Sequence, residues 1–200
     1  MLVAVGDVHG QAELLEDLLA RIRAAGLLGA ARLVLVGDLI DRGPDPRGVL
    51  DRCLDLRAQH PDTVFLRGNH EQLLLDALDA RDPSAPGCPE RPAVRAPLAA
   101  WLACGGAATL RSYGLDARPL KWPELRAWRE AIPADHLAFL RSMTMEHIAE
   151  RHHFVHAGLP PDGTMDAGPG GRDPRLWIRE EFLRSDSDFG GRTVVHGHTP

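Results

Sequence analysis

Five short polar clusters, each directly behind a short apolar run, constrain this chain more than any other feature. They are Gly6-Asp7-Val8-His9-Gly10, Gly37-Asp38-Leu39-Ile40-Asp41-Arg42-Gly43, Arg67-Gly68-Asn69-His70-Glu71, Phe154-Val155-His156-Ala157-Gly158 and His196-Gly197-His198-Thr199-Pro200. The first follows Leu2–Val5, the second residues 32–36, the third 63–66 and the last 193–195. Apolar runs of four or five residues ended by glycine read as buried strands. Strand ends of the same sense lie along one edge of a sheet, where open α/β folds bind ligands. Groups far apart in the chain can therefore meet there, and the neighbouring glycines let the backbone turn sharply and approach closely.

Between these runs lie helical periodicities. Residues 11–25 place Leu14, Leu15, Leu18, Leu19 and Ile22 at helical spacing. Pro46–Gln59 and 71–80 predict a second and a third helix, and His60-Pro61 closes the second. The alternation implies a mostly parallel sheet with helices on its faces. Proline-rich 82–97 reads as a loop, 98–103 as a short helix stopped by Gly105-Gly106, and 133–143 as another helix. We read about 81–133 as a helical and loop insertion in a single domain spanning 1–200. Residues 145–149 and 152–156 predict a hairpin around Glu150-Arg151, 160–174 a loop, 176–183 one helix and 193–196 a last strand.

Composition excludes several classes. The net charge is −5 and there is no basic run, which argues against a dedicated nucleic-acid surface. No stretch approaches a membrane span, and Gly6-Asp7 interrupts the N-terminal apolar run too early for a signal peptide. Cys53, Cys88 and Cys104 are odd in number and lack C-x-x-C spacing, so reduced thiols in the cytoplasm are the expectation.

The clusters offer carboxylate, imidazole and amide, with no thiolate. That donor set suits manganese, iron or zinc better than magnesium or calcium. A carboxylate can bridge two ions, and paired ions can activate a water and clamp both ends of an in-line displacement. Singly, each residue has an ordinary role: Asp7 or Asp38 as a helix cap, Asn69 in a turn, Glu71 at the positive end of a helix. Five such clusters at five strand exits are not explained by capping.

The ordered set GDVHG, GDLIDRG, GNHE, HAG and GHT resembles the calcineurin-like metallophosphoesterase superfamily. The forms GDLIDRG and RGNHE resemble its phosphoprotein phosphatase branch, above all the compact bacterial and phage serine/threonine phosphatases, and are similar to diadenosine tetraphosphatases. The resemblance implies an αββα two-sheet sandwich flanked by helices. It also implies further strands after the last cluster, so this chain is expected to lack its last strands. By the same resemblance, Asp7 and His9 bind a first divalent metal, Asp38 bridges, and Asn69, His156 and His198 complete the second site, with Mn2+ the expected ion and Fe or Zn alternatives. His70 is the general acid, oriented by Asp41. Arg42 binds phosphate oxygens, and Arg179, in Leu176-Trp177-Ile178-Arg179-Glu180, is the second phosphate-binding arginine. His152, His153 and His196 are expected outside the metal set, and Trp101, Trp122, Trp128 and Trp177 are expected to pack.

The implied reaction is hydrolysis of a phosphomonoester, with phosphoserine or phosphothreonine in proteins as the leading substrate. Dinucleoside polyphosphates come second, because their hydrolases typically depart from this pattern at Asp41. A small phosphoester is also admitted. A catalytically inactive binding module would lack a ligand or the acid, and all are present. The oligomeric state is open.

Overall fold

The computed structural model describes residues 1–80, 91–116, 122–166 and 171–199, the side chains of 91–95 and 122–126 excepted. Cys88, Pro200 and the 82–90 part of the expected loop lie outside them. Strands β1 (Leu2–Val5), β2 (Arg32–Leu35) and β3 (Val64–Phe65) form a parallel sheet in that order. Strands β4 (Glu146–Ala149), β5 (His152–Val155) and β6 (Thr193–Val195) form a second, mixed sheet. There β4 and β5 are the expected hairpin, and β6 runs parallel to β5.

Side-chain alternation builds the layers. Val3, Val5, Leu33, Leu35 and Phe65 face a large core shared with the helices. Their alternates Leu2, Val34, Val36, Val64 and Leu66 face Ala149, Phe154 and Val195 of the other sheet. Beyond that sheet, Val194 packs with Ala157, Ile178, Phe182 and Phe189. The order is therefore helices, sheet, sheet, helices, as the two-sheet expectation required. Truncating a fully buried leucine such as Leu35 or Leu50 costs about 2–5 kcal/mol.

Helices α1 (Ala12–Ala24), α2 (Pro46–Gln59) and α3 (Asn69–Asp79) fall where periodicity put them, within two residues. In α2, Pro46 opens the first turn and the Asp45 carboxylate accepts from Gly48 N at 2.9 Å. The middle is more helical than the prolines suggested. Helix α4 (Arg91–Trp101) begins inside the expected loop. Pro92 sits in its first turn, where the missing N–H is harmless, and Pro97 is accommodated further on. The helix does break at Gly105, at φ 107°, as expected, and after this kink the chain turns straight into α5 (Ala107–Ser112). Helix α6 (Trp122–Ala131) was not anticipated, although Trp128 and Ile132 are buried four residues apart. Helix α7 (Ala134–Ser142) matches 133–143.

The single helix expected over 176–183 is two short ones, α8 (Pro174–Trp177) and α9 (Glu180–Leu183). Asp173 caps α8, Ile178 turns to an extended backbone, and Arg179 sits at the break. Breaking there lets both Ile178 and Phe182 reach the core beside Ala157. Among the described residues no helix is long and apolar enough to cross a membrane.

Candidate metal centre

All five clusters emerge at the C-terminal ends of β1, β2, β3, β5 and β6. Gly37 permits the approach of the two sheets there: at φ 103°, a Cβ on it would stand 2.6 Å from Gly68 N and 2.9 Å from His156 Nδ1. Backbone strain gathers at the same place. Five of the seven non-glycine residues with positive φ among those described are His9 (44°), Asp38 (50°), Asp41 (69°), Arg42 (64°) and His198 (63°). Such conformations persist only where the surroundings enforce them.

Glu71 is the enforcement. Its fully buried carboxylate accepts from Asp38 N at 2.9 Å, Leu39 N at 2.8 Å, Ile40 N at 3.2 Å and Gly68 N at 2.8 Å. It thus ties the Asp38 loop to the start of α3. Burial, and then the charge of Asp38, push this carboxyl up to about 7. The sequence reading gave Glu71 only a helix-start role.

Asp38 lies at the centre. Its Oδ2 is 3.6 Å from His9 Nε2 and 3.9 Å from His70 Nε2, and its Oδ1 is 3.4 Å from His156 Nε2. His70 N also donates to Oδ1 at 3.1 Å. Burial works to raise the Asp38 carboxyl, but the His156 and His70 rings outweigh it and hold it well below the usual carboxylate range. Two groups of potential ligand atoms share it: His9, Asp38 and His70, and Asp38, His156 and His198, the atoms within each group lying within 4.8 Å of one another.

The protons on these rings test whether a cation fits. His9 Nδ1 is 3.0 Å from Ile40 O and His156 Nδ1 is 2.9 Å from Val36 O. A ring nitrogen facing a carbonyl carries its proton, so each Nε2 is left with a lone pair. His156 Nε2 then faces Asn69 Oδ1 at 3.0 Å, His198 Nδ1 at 3.2 Å and Asp38 Oδ1. His9 Nε2 and His198 Nε2 are buried without a hydrogen-bond partner. Acceptors converge here without enough protons, which is the condition a divalent cation relieves. Burial, followed by the neighbouring His156, pushes His198 down to about 4, and burial also lowers His9, so both favour the neutral, ligating form. For His156 burial disfavours the charged ring, yet Asp38 raises its proton affinity, so this spot draws positive charge. The residues present fit two cations around Asp38.

Asp7 takes another place. Both its oxygens accept from His198 N at 3.1 Å, linking the first cluster to the last across the two sheets. His70 Nδ1 donates to Asp41 Oδ2 at 2.7 Å, and its Nε2 accepts from the Arg42 guanidinium at 2.9 Å. Burial lowers the affinity of His70 for a proton, but the Asp41 carboxylate prevails and raises it. Arg179 donates to Thr199 Oγ1 at 2.7 Å and so lies beside the His198 loop. All ten expected site residues thus belong to one neighbourhood.

The histidines expected outside it are outside. His153 Nε2 pairs with Glu146 at 2.7 Å, and the His196 ring packs on Phe182. Trp128 and Trp177 pack as expected, while the side chain of Trp122 lies outside the described residues. Trp101 does more: it is fully buried and donates to both oxygens of Asp41, at 3.1 and 3.0 Å. Thr109 Oγ1 donates to Asp41 Oδ1 as well, at 2.5 Å. Sequence distance hid both partners, for nothing in local pattern joins them to a residue 60 or 68 positions earlier.

Similarity to known proteins agrees with this geometry. The chain is 47% identical over 73 residues to serine/threonine-protein phosphatase 1 of Salmonella typhimurium, covering 36% of this chain and 31% of that protein. It is 42% identical over 85 residues to the symmetrical bis(5'-nucleosyl)-tetraphosphatase of an Acidovorax species, covering 42% and 28%. These matches span about a third or less of either relative's length. Among solved structures, the cold-active protein-tyrosine phosphatase of a psychrophilic Shewanella species superposes with a TM-score of 0.58 at 20% identity, covering 99% of this chain and 65% of that one. That likeness supports the fold. The calcineurin-like phosphoesterase model matches residues 1–200, and the chain belongs to that family.

Proposed function

We propose that this chain is a dinuclear-metal-dependent phosphoesterase that hydrolyses phosphoserine and phosphothreonine esters in proteins. The observation that carries the reading is the sharing of Asp38 between two groups of ligand atoms, each with one imidazole nitrogen (His9 Nε2, His198 Nε2) buried without a hydrogen-bond partner. Asp7 and His9 would hold one ion, Asn69, His156 and His198 the other, and Asp38 both. When bound, two divalent cations (Mn2+ in this proposal, with Fe or Zn as alternatives) would supply Lewis acidity and ease the ionisation of a water.

The chain's own residues do the rest. Arg42 and Arg179 bind the phosphate oxygens and balance their developing charge. A phosphate that takes the Arg42 guanidinium frees His70 Nε2 from it. The freed Nε2 then takes up a proton, as the Asp41 carboxylate favours, and the imidazolium gives it to the leaving oxygen while Asp41 holds Nδ1–H and the ring orientation. The unit is one domain over 1–200 with a helical insert at about 81–133, and the family match over the whole chain supports it. A cytoplasmic setting suits Cys53 and Cys104, both unpaired thiols.

Cleavage of dinucleoside polyphosphates is the second reading, favoured by the Acidovorax relative. The test is phosphate release by the Mn2+-loaded protein from a phosphoserine peptide and from diadenosine tetraphosphate. Faster turnover of the peptide is expected. Turnover of the nucleotide alone would move the assignment to the second reading.

A further inference from the structure

We infer that Trp101 and Thr109 are positioning residues for His70: through Asp41 they hold the imidazole in line, so the helical insert governs proton delivery to the leaving group. The inference rests on the phosphoesterase reading above and deepens it.

Asp41 is fully buried. An ionised carboxylate there needs several donors. Three side chains provide them: His70 Nδ1–H, the Trp101 indole N–H and the Thr109 hydroxyl. All three can only donate to it in this arrangement, so Asp41 stays an acceptor and His70 keeps its proton on Nδ1. Two of the three come from the insert.

The insert also fixes the backbone that carries Asp41. Thr109 Oγ1 accepts from Asp41 N at 3.1 Å while its proton goes to the carboxylate, so one hydroxyl pins both ends of a residue held at φ 69°. Next to it, Arg42 N donates to Gly105 O at 3.4 Å. A Cβ at Gly105, itself at φ 107°, would stand 3.0 Å from Arg42 Cγ. Trp101 ends α4 and Thr109 lies in α5, on either side of the kinked turn at Gly105. That turn brings both donors to one carboxylate.

A packing role alone would not need the indole N–H or the hydroxyl. Thr109→Val removes the hydroxyl at nearly constant shape, Thr109→Ser keeps it, and Trp101→Phe keeps an aromatic ring without the N–H. Two substrates separate the roles: a phosphoserine peptide, whose alkoxide must be protonated, and 4-nitrophenyl phosphate, whose phenolate leaves unaided. In Mn2+-loaded protein, Thr109→Val and Trp101→Phe should each lower kcat on the peptide about 10-fold with KM within about twofold. On nitrophenyl phosphate both should match the wild type, and Thr109→Ser should match it on both esters. In 15N-histidine-labelled, metal-free full-length chain, the His70 Nδ1–H signal should shift or broaden in the Val and Phe variants and stay in place in the Ser variant.

Equal losses on both esters, or no loss on either with the His70 signal unmoved, would overturn the inference. The Thr109 series carries the test if Trp101→Phe does not fold. A wild-type chain that turns over neither ester removes the phosphoesterase reading and proton delivery with it, while the His70 signal decides the positioning contacts separately.

Discussion

The centre has two unlike halves. The half built on β1–β3 is buried and held from several sides: Asp38, Asp41, Asn69, His70 and Glu71 are each at most 4% exposed. Glu71 satisfies four backbone N–H groups there, and Trp101 and Thr109 brace Asp41. The half around His198 is only partly buried, and its loop is tied by Asp7 and Arg179. His156 follows β5 of the second sheet but sits fully buried beside Asp38. The difference teaches that the proposed acid and the carboxylate proposed to be shared are preorganised by the fold. The last ligand depends on a carboxylate that is itself a proposed ligand.

Removing what both halves share should do most. Asp38→Asn takes the negative charge from both ligand groups. Metal content measured by plasma mass spectrometry should fall by at least one ion per chain, with turnover lost; full occupancy would deny the shared role. Within the buried half, His70→Asn should keep both metals and lose turnover by roughly 10²–10⁴-fold. Unchanged turnover would end its part as the acid.

Stability separates the halves more finely. Glu71→Gln puts an amide, with donors of its own, against four N–H donors, and should cost about 2–3 kcal/mol in urea unfolding. Asp7→Asn, on the looser half, should cost about 1 kcal/mol or less in metal-free protein. Equal costs would erase the contrast. The smallest effect concerns pH. His198 is held near 4 in the folded chain, below the ordinary histidine value of 6.5. Below pH 6.5 the unfolded chain takes up this proton and the folded one resists until about 4, so its contribution is present above 6.5 and lost on acidification. The melting temperature of metal-free wild type should therefore fall more steeply than that of His198→Gln between those values. Parallel curves would place the His198 ring in a more open setting.

The same contrast decides what could be read in advance. Strands, their exits and the ligand clusters are local patterns, and apolar period plus glycine placement carried them. Helix α4 and the break at Arg179 escaped because proline in a first turn and a core-seeking Ile178 obey contacts rather than period. Glu71 was visible in its cluster, but a carboxylate at a helix start is ordinary, and only folding brings the Asp38 loop against it. Trp101 and Thr109 had no signal at all, since their partner becomes a neighbour only through the kink at Gly105. The clusters that meet at the candidate site were legible; the contacts that hold them there were not.

The most direct test of the account is anomalous diffraction from crystals of the Mn2+-loaded chain. It predicts two manganese peaks flanking the Asp38 carboxylate, one toward His9 and one toward His156 and His198. A single peak, or two that do not both touch Asp38, would contradict it.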